Sequence, residues 1–180
     1  LVGDEADRLD RLVANLLSLS RIEAGALQPD RQAVVLEELV AERARRLARL
    51  FSDVRLETSF PTGMRTVDAD YSQLDQVITN LLENAARYAP PGSVVRVSAR
   101  QQDDDVEVRV SDEGPGLEPE TADELFKPFR SGRGSESTGT GLAICKAIVE
   151  AHGGQIHVTS GPSGGAIFSF TLPVHDEDRG

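Results

Sequence analysis

The segment Asn80-Leu-Leu-Glu-Asn84-Ala-Ala-Arg87-Tyr88 sets two asparagines one helical turn apart, with an arginine on the next turn. Residues at i, i+4 and i+7 share one face of a helix. That face presents amide, amide and cation, which suits a metal ion and a polyphosphate. The opposite face, Leu74, Val77, Ile78, Leu81 and Ala85, is an apolar stripe made to bury. A second candidate, Asp112-Glu-Gly114-Pro-Gly116, directly follows a strand of alternating valines. A carboxylate at a strand end can accept a hydrogen bond from an exocyclic amine such as adenine N6, and glycines let backbone pass beneath a flat ring. A third, Ser137-Thr138-Gly139-Thr140-Gly141-Leu142, opens a helix. Such a loop offers free N–H groups and a positive dipole end to an anion. Just upstream, Lys127-Pro-Phe129-Arg130-Ser-Gly132-Arg133-Gly134 is cationic in an otherwise acidic chain and suits a lid over phosphates. Singly, these are also the patterns of a solvated helix face, a Gly-Pro turn and a surface loop. Their succession carries the signal.

The elements that must position these residues fit in one domain of ordinary size. The chain has 180 residues, 39% hydrophobic and 27% charged, as in soluble globular proteins. A net charge of −11 argues against nucleic-acid binding, which demands clustered Lys and Arg. No apolar run is long enough to cross a bilayer, and no signal-peptide pattern opens the chain. The single cysteine, Cys145, allows no internal disulfide and falls in a helical apolar pattern, as a buried, inert thiol would. His152, His157 and His175 show no zinc-ligand spacing. The chain starts without methionine and in mid-pattern, as an excised fragment would.

Periodicity gives an amphipathic helix over residues 4–24, with Leu9, Leu12, Val13, Leu16, Leu19 and Ile22 at spacings of three and four. This seam could form a helical-hairpin dimer interface or pack on its own domain. Gly25 and Pro29 break it. A short strand over 34–36, a helix over 37–50 and strands over 54–60 and 65–69 follow. The asparagine helix spans 71–88 and stops before Pro90-Pro91-Gly92. Strands over 94–98 and 106–110 flank a polar turn at 101–105. A helix over 142–152 closes on Gly153-Gly154, and strands over 155–160 and 166–172 end the pattern. The sum is an α+β sandwich: one mixed β-sheet with helices on one face, preceded by an amphipathic helix.

The order of motifs — asparagine helix, Asp-x-Gly-x-Gly, Phe126-x-x-Phe129, glycine-rich loop and helix — resembles the catalytic ATP-binding domain of sensor histidine kinases. That family shares the Bergerat fold with gyrase, heat-shock chaperone and mismatch-repair ATPases. The resemblance extends to Phe168-Ser-Phe-Thr-Leu-Pro173 and to Arg8-Leu-Asp-Arg-Leu12 through Arg21-Ile-Glu-Ala-Gly25, which looks like the second helix of the dimerisation and phosphoacceptor hairpin. It implies three segments: residues 1–27 from that hairpin, 28–175 as the ATP-binding domain, and 176–180 as a disordered tail. A finer likeness, through residues 142–154 and 130–134, is to potassium-responsive Kdp-type sensor kinases.

The resemblance implies ATP and Mg²⁺ as cofactors, with Asn84 and Asn80 on the metal and Arg87 in the place of the usual lysine. Tyr88 would flank adenine or ribose, and Asp112 would fix adenine with room made by Gly114 and Gly116. Phe126 and Phe129 would anchor the lid that carries Arg130. The Gly139 and Gly141 amides would hold the β- and γ-phosphates, with Thr138, Thr140 and Leu142 also at the cofactor. No catalytic residue is expected within the chain, because the phosphorylated histidine and its acidic neighbour would lie before Leu1. Implied partners are a response regulator and, through the hairpin, a second copy. The implied location is the cytoplasmic side of a parent protein anchored in the bacterial inner membrane. Departures from the family pattern are Ser137 for a glycine, Thr140 for a leucine and Ala166 for a frequent threonine. Asn80 stands where the hydrolytic relatives carry glutamate, and an amide cannot act as a general base. An anti-sigma-type serine kinase and a non-catalytic nucleotide-sensing module remain as other readings.

Overall fold

β-Branched residues at every second position build the central strands. In the computed structural model, which describes residues 2–118, 122–129 and 139–175, β5 (Asp105–Ser111) buries Val106, Val108 and Val110 on one face. Its neighbours β4 (Val94–Gln102) and β7 (Ala166–Pro173) bury Val95, Val97, Phe168, Phe170 and Leu172 on the same side. With β2 (Arg55–Ser59) and β6 (Ile156–Ser160), the five strands run in the order β2-β4-β5-β7-β6. β2 lies parallel to β4, and the other pairs are antiparallel. The sheet's outer face is polar, as a one-sided sheet requires. Glu107, turned outward, is enclosed by Arg100 at 2.5 Å and Arg109 at 2.9 Å.

Helices α3 (Tyr71–Tyr88) and α4 (Gly141–Ala151) cover the apolar face. Leu74, Val77, Ile78, Leu81 and Ala85 of α3 are buried, together with Ile144, Cys145, Ile148 and Val149 of α4. Asp70 caps α3 by accepting from the Gln73 N–H at 3.1 Å, which satisfies one orphan donor. The helix stops at Ala89, whose extended backbone meets Pro90. Burial pushes the Cys145 thiol up to about 12, so it stays protonated and inert.

The α+β architecture matches the sequence pattern, with local differences. The sheet is not single: β1 (Gln32–Val34) pairs antiparallel with β3 (Val67–Ala69) as a separate two-stranded ribbon. β1 begins two residues earlier than its apolar run, because Val35 and Leu36 turn the chain into α2 (Leu36–Arg46). The helix expected to run to residue 50 breaks at Leu47 into a 3-10 turn, Ala48–Phe51, which brings Phe51 onto the core. β4 and β5 consume most of the expected turn. Only Asp103 and Asp104 remain to reverse the chain, with Asp103 left-handed at φ 51°, a conformation aspartate tolerates.

α1 (Val2–Glu23) divides its apolar seam. Leu19 is buried and Ile22 packs on the domain core, whereas Leu9, Val13, Leu16 and Leu17 are exposed. Gln76 of α3 holds the helix by accepting from Ser18 Oγ at 2.8 Å and donating to Asn15 Oδ1 at 3.1 Å. The expected tail at 176–180 lies outside the described residues. No helix among the described residues is long and apolar enough to cross a membrane.

His152, which closes α4, joins the ends of the two helices. Its Nδ1 faces the Ile148 carbonyl at 2.7 Å and must donate, while Nε2 accepts from the Asp70 N–H at 3.0 Å. Both bonds fix the neutral ring. Burial holds its pKa below the ordinary value, assisted by Arg31 and opposed by the Ile148 carbonyl, Asp70 and Asp68. The unfolded chain therefore takes a proton below about pH 6.5 that the folded chain refuses, so stability is lost as pH falls through that region. Urea melts at pH 7.5 and 5.5 should show this loss. His152→Gln should be less stable by roughly 1–3 kcal/mol at pH 7.5, with a smaller pH step; an unchanged step would assign the titration elsewhere.

Candidate functional site

Where β5 ends, α3 ends and α4 begins, the three elements enclose a cavity of about 550 Å³. Asp112, one residue past β5, is 7% exposed and lines it. Its Oδ1 accepts from the Gly114 N–H at 2.8 Å and the Ala166 N–H at 3.3 Å. Both described bonds fall on one oxygen, so Oδ2 keeps acceptor capacity for a ligand. Burial raises the Asp112 pKa, and the two N–H donors oppose that shift. Around this carboxylate the lining is apolar: Pro115, Leu117, Leu125, Ala166 and Phe168. Phe126 is buried edge-on to Phe168, with ring centres 6.3 Å apart and planes at 84°. The result is a flat apolar slot with one fixed acceptor, suited to an aromatic base that carries an amine.

The α3 side of the cavity is polar. Asn80, Asn84, Arg87 and Tyr88 line it together with Gly139, Gly141 and Leu142. Asn80 is nearly buried and donates through Nδ2 to the Gly141 carbonyl at 3.3 Å, tying α3 to the start of α4. The Thr140 side chain does not cap α4, whose leading N–H groups and positive dipole end belong to the cavity wall. The polar side can thus take an anion and offer amide oxygens to a hard cation.

Four expected residues do not line the cavity. Gly114 lies beneath Asp112, where a Cβ would come within 2.6 Å of the Tyr88 carbonyl oxygen. Thr140 is 1% exposed and turned inward. Phe129 is 66% exposed at φ 62°, and Phe126 is buried against Phe168; neither lines the cavity. Arg130, Thr138 and the rest of the expected lid at 130–138 lie outside the described residues.

The structure adds residues that the motif reading passed over. Glu83 lines the cavity between Asn80 and Asn84, so the α3 face reads amide, carboxylate, amide, cation. Its position at i+3 from Asn80 was legible in the same helical spacing. Burial raises the Glu83 pKa, against the opposing charges of Arg11, Arg87 and Arg43. From α1, Arg8, Arg11, Leu12 and Asn15 form a further wall. Their spacing is helical, but periodicity does not say which face of α1 meets the domain.

A model of the histidine kinase-, DNA gyrase B- and HSP90-like ATPases matches residues 69–176, the stretch that supplies most of this cavity's lining. The chain belongs to this family. Within it, the chain is similar to the sensor protein KdpD of Clostridium acetobutylicum, 36% identical over 177 residues, covering 96% of this chain and 20% of that protein. A mycobacterial sensor histidine kinase, MprB, superposes with a TM-score of 0.73 at 31% identity, covering 81% of this chain and 98% of that one. Full-length ShkA, crystallised with AMPPNP, gives a TM-score of 0.83 at 25% identity over 96% of this chain and 37% of that one. This chain is the ATP-binding catalytic domain of a histidine kinase, preceded by a helix. It spans a fifth to under a half of the curated relatives it matches.

The cavity depends on close backbone passage. Gly165, at φ 79°, lies so near the Asp112 carbonyl that a Cβ would meet its oxygen at 1.9 Å. Gly165→Ala should therefore cost about 2–4 kcal/mol of stability. Denaturant melts check this; a loss within experimental error would show that the Asp112 loop can shift freely.

Proposed function

We propose that the chain binds ATP with Mg²⁺ and transfers the γ-phosphate to a histidine on a helix upstream of residue 1, for relay to an aspartate of a response regulator. The supporting observation is the cavity itself: a single-acceptor apolar slot at Asp112 continues into the polar side of α3 and the start of α4. Asp112 Oδ2 would accept from the adenine amine. Arg87 and the N–H groups at Gly139 and Gly141 would receive the phosphates, and Tyr88 would flank the nucleoside. Asn80 commits its Nδ2 to Gly141, so its Oδ1 remains for the cation, with Asn84 beside it. Amide oxygens suit a hard cation that keeps several waters, and Mg²⁺ when bound would neutralise phosphate charge. The AMPPNP complex of ShkA supports the nucleotide reading.

No described histidine suits the acceptor role. His152 is buried with both ring nitrogens engaged, His175 pairs with Asp68 at 3.0 Å, and His157 lies on β6. We assign α1 as the second helix of a dimerisation hairpin, with Leu9, Val13 and Leu16 as its apolar face. We propose a potassium-responsive parent kinase, on the likeness to the sensor protein KdpD, and place its membrane anchor outside this chain.

Calorimetry with magnesium AMPPNP tests the site. Asp112→Asn should abolish binding yet keep or raise stability at pH 7, because asparagine still accepts both N–H bonds and removes a desolvated charge. Asn84→Ala should weaken binding about tenfold, the loss of one good polar contact. Unchanged affinity in both would overturn the assignment. For the reaction, a longer chain carrying the upstream helix should incorporate label from γ-labelled ATP into an acid-labile phosphohistidine. No label on any histidine would sink the transfer reading.

A further inference from the structure

Asn80, Glu83, Asn84 and Arg87 occupy i, i+3, i+4 and i+7 of α3 and all line the cavity. Glu83 and Asp112 are the carboxylates among the described lining residues. Asp112 sits in the apolar slot, so Glu83 is the acid on the side that would receive phosphates. Its side chain is 20% exposed, and Arg11 Nε of α1 stands 2.7 Å from its Oε1. Other cations are less committed to it: Arg43 is held by Asp75 through a two-pronged ion pair, and Arg87 is exposed one turn on. α1 is fixed to α3 close by, through the bonds of Asn15 and Ser18 with Gln76.

An unpaired carboxylate there would repel a polyphosphate across a few ångströms of partly desolvated space, where charge interactions are strong. A carboxylate paired with Arg11 would not. The charge that meets the nucleotide therefore depends on whether α1 is seated. We propose that Arg11 is a positioning residue: by neutralising Glu83 on the phosphate-facing side of α3, it makes the seating of α1 and the binding of a magnesium nucleotide favour each other. The inference rests on the nucleotide reading above. Coupling of this kind is reciprocal, so bound nucleotide must hold α1 down as firmly as α1 aids binding.

A double-mutant cycle on the whole chain, read by calorimetry with magnesium AMPPNP, tests it. Arg11→Ala should weaken binding about tenfold, as one uncompensated charge at that range would. Glu83→Gln should bind at least as tightly as the unaltered chain. The double variant should recover to the level of Glu83→Gln, and Arg11→Lys should retain most of the affinity. In amide hydrogen exchange, saturating AMPPNP should slow exchange over residues 8–18 of the unaltered chain and do so far less in Arg11→Ala.

The other outcomes discriminate. A double variant as weak as Arg11→Ala would mean that Arg11 touches phosphate directly and would overturn the neutralising role. Loss of binding in Glu83→Gln would make Glu83 a ligand and overturn it as well. Unchanged affinity in Arg11→Ala, or exchange in α1 indifferent to AMPPNP, would remove the coupling while leaving the nucleotide site intact. Failure of the unaltered chain to bind AMPPNP would remove the nucleotide reading and this inference with it.

Discussion

A buried carboxylate held by backbone donors on a single oxygen is the constraint around which this domain is arranged. Asp112 is nearly excluded from water, and an ionised acid in that position must find compensation or take up a proton. Compensation comes from two N–H groups, of Gly114 and Ala166, that reach it because two loops pass within contact distance. That passage dictates glycine at 114 and 165, where any Cβ would strike backbone or carboxylate oxygen. It also fixes the register of β5 and β7, since Asp112 N–H donates to the Ala166 carbonyl while Ala166 N–H returns to the Asp112 side chain. The remaining oxygen is then the carboxylate acceptor that the described residues offer in an apolar slot. Such a geometry suits the amine-bearing ring of the proposed nucleotide.

The polar side obeys a different rule. An acidic chain that is to hold a polyphosphate must place cations and backbone donors locally, against its own mean field. Here they come from separate elements: Arg87 from the last turn of α3, N–H groups from the start of α4, and Arg8 from α1, beside the Arg11 that pairs with Glu83. The Asn80 bond to the Gly141 carbonyl keeps the two catalytic-domain contributions in fixed relation. The α1 contribution is held by polar contacts to α3 and by Leu19 and Ile22 at its far end. The helix leaves Leu9, Val13, Leu16 and Leu17 exposed, so its attachment is confined to one face.

Much of this was written in local pattern. The α3 stripe from Leu74 to Ala85, the valine alternation of β5 and the break at Pro90 each follow from periodicity and chain geometry, and each is found in place. Asn80, Asn84, Arg87 and Asp112 meet at one cavity, as their order along the chain implied. Glu83 was equally visible at i+3 but was passed over, because a glutamate on a polar helix face carries no signature of its own. What could not be read was tertiary. The separate pairing of β1 with β3, the break at Leu47 that frees Phe51 for the core, and the face of α1 turned to the cavity are set by partners far along the chain.

The α3 face also bears on the kind of chemistry the site can support. Hydrolysis of a nucleotide needs a base near the γ-phosphate to orient and deprotonate water. Asn80 cannot fill that role, and its amide is already engaged with Gly141. Glu83 is the remaining carboxylate on that side among the described residues, and desolvation does raise its pKa toward that of a useful base. Its oxygen, however, faces the Arg11 guanidinium at 2.7 Å, a charge that opposes the effect of burial without cancelling it and that engages this oxygen. With α1 seated, the acid most able to activate water is therefore occupied. A site built this way can hold and polarise a phosphoryl group while offering water little help, which favours an acceptor that brings its own nucleophile.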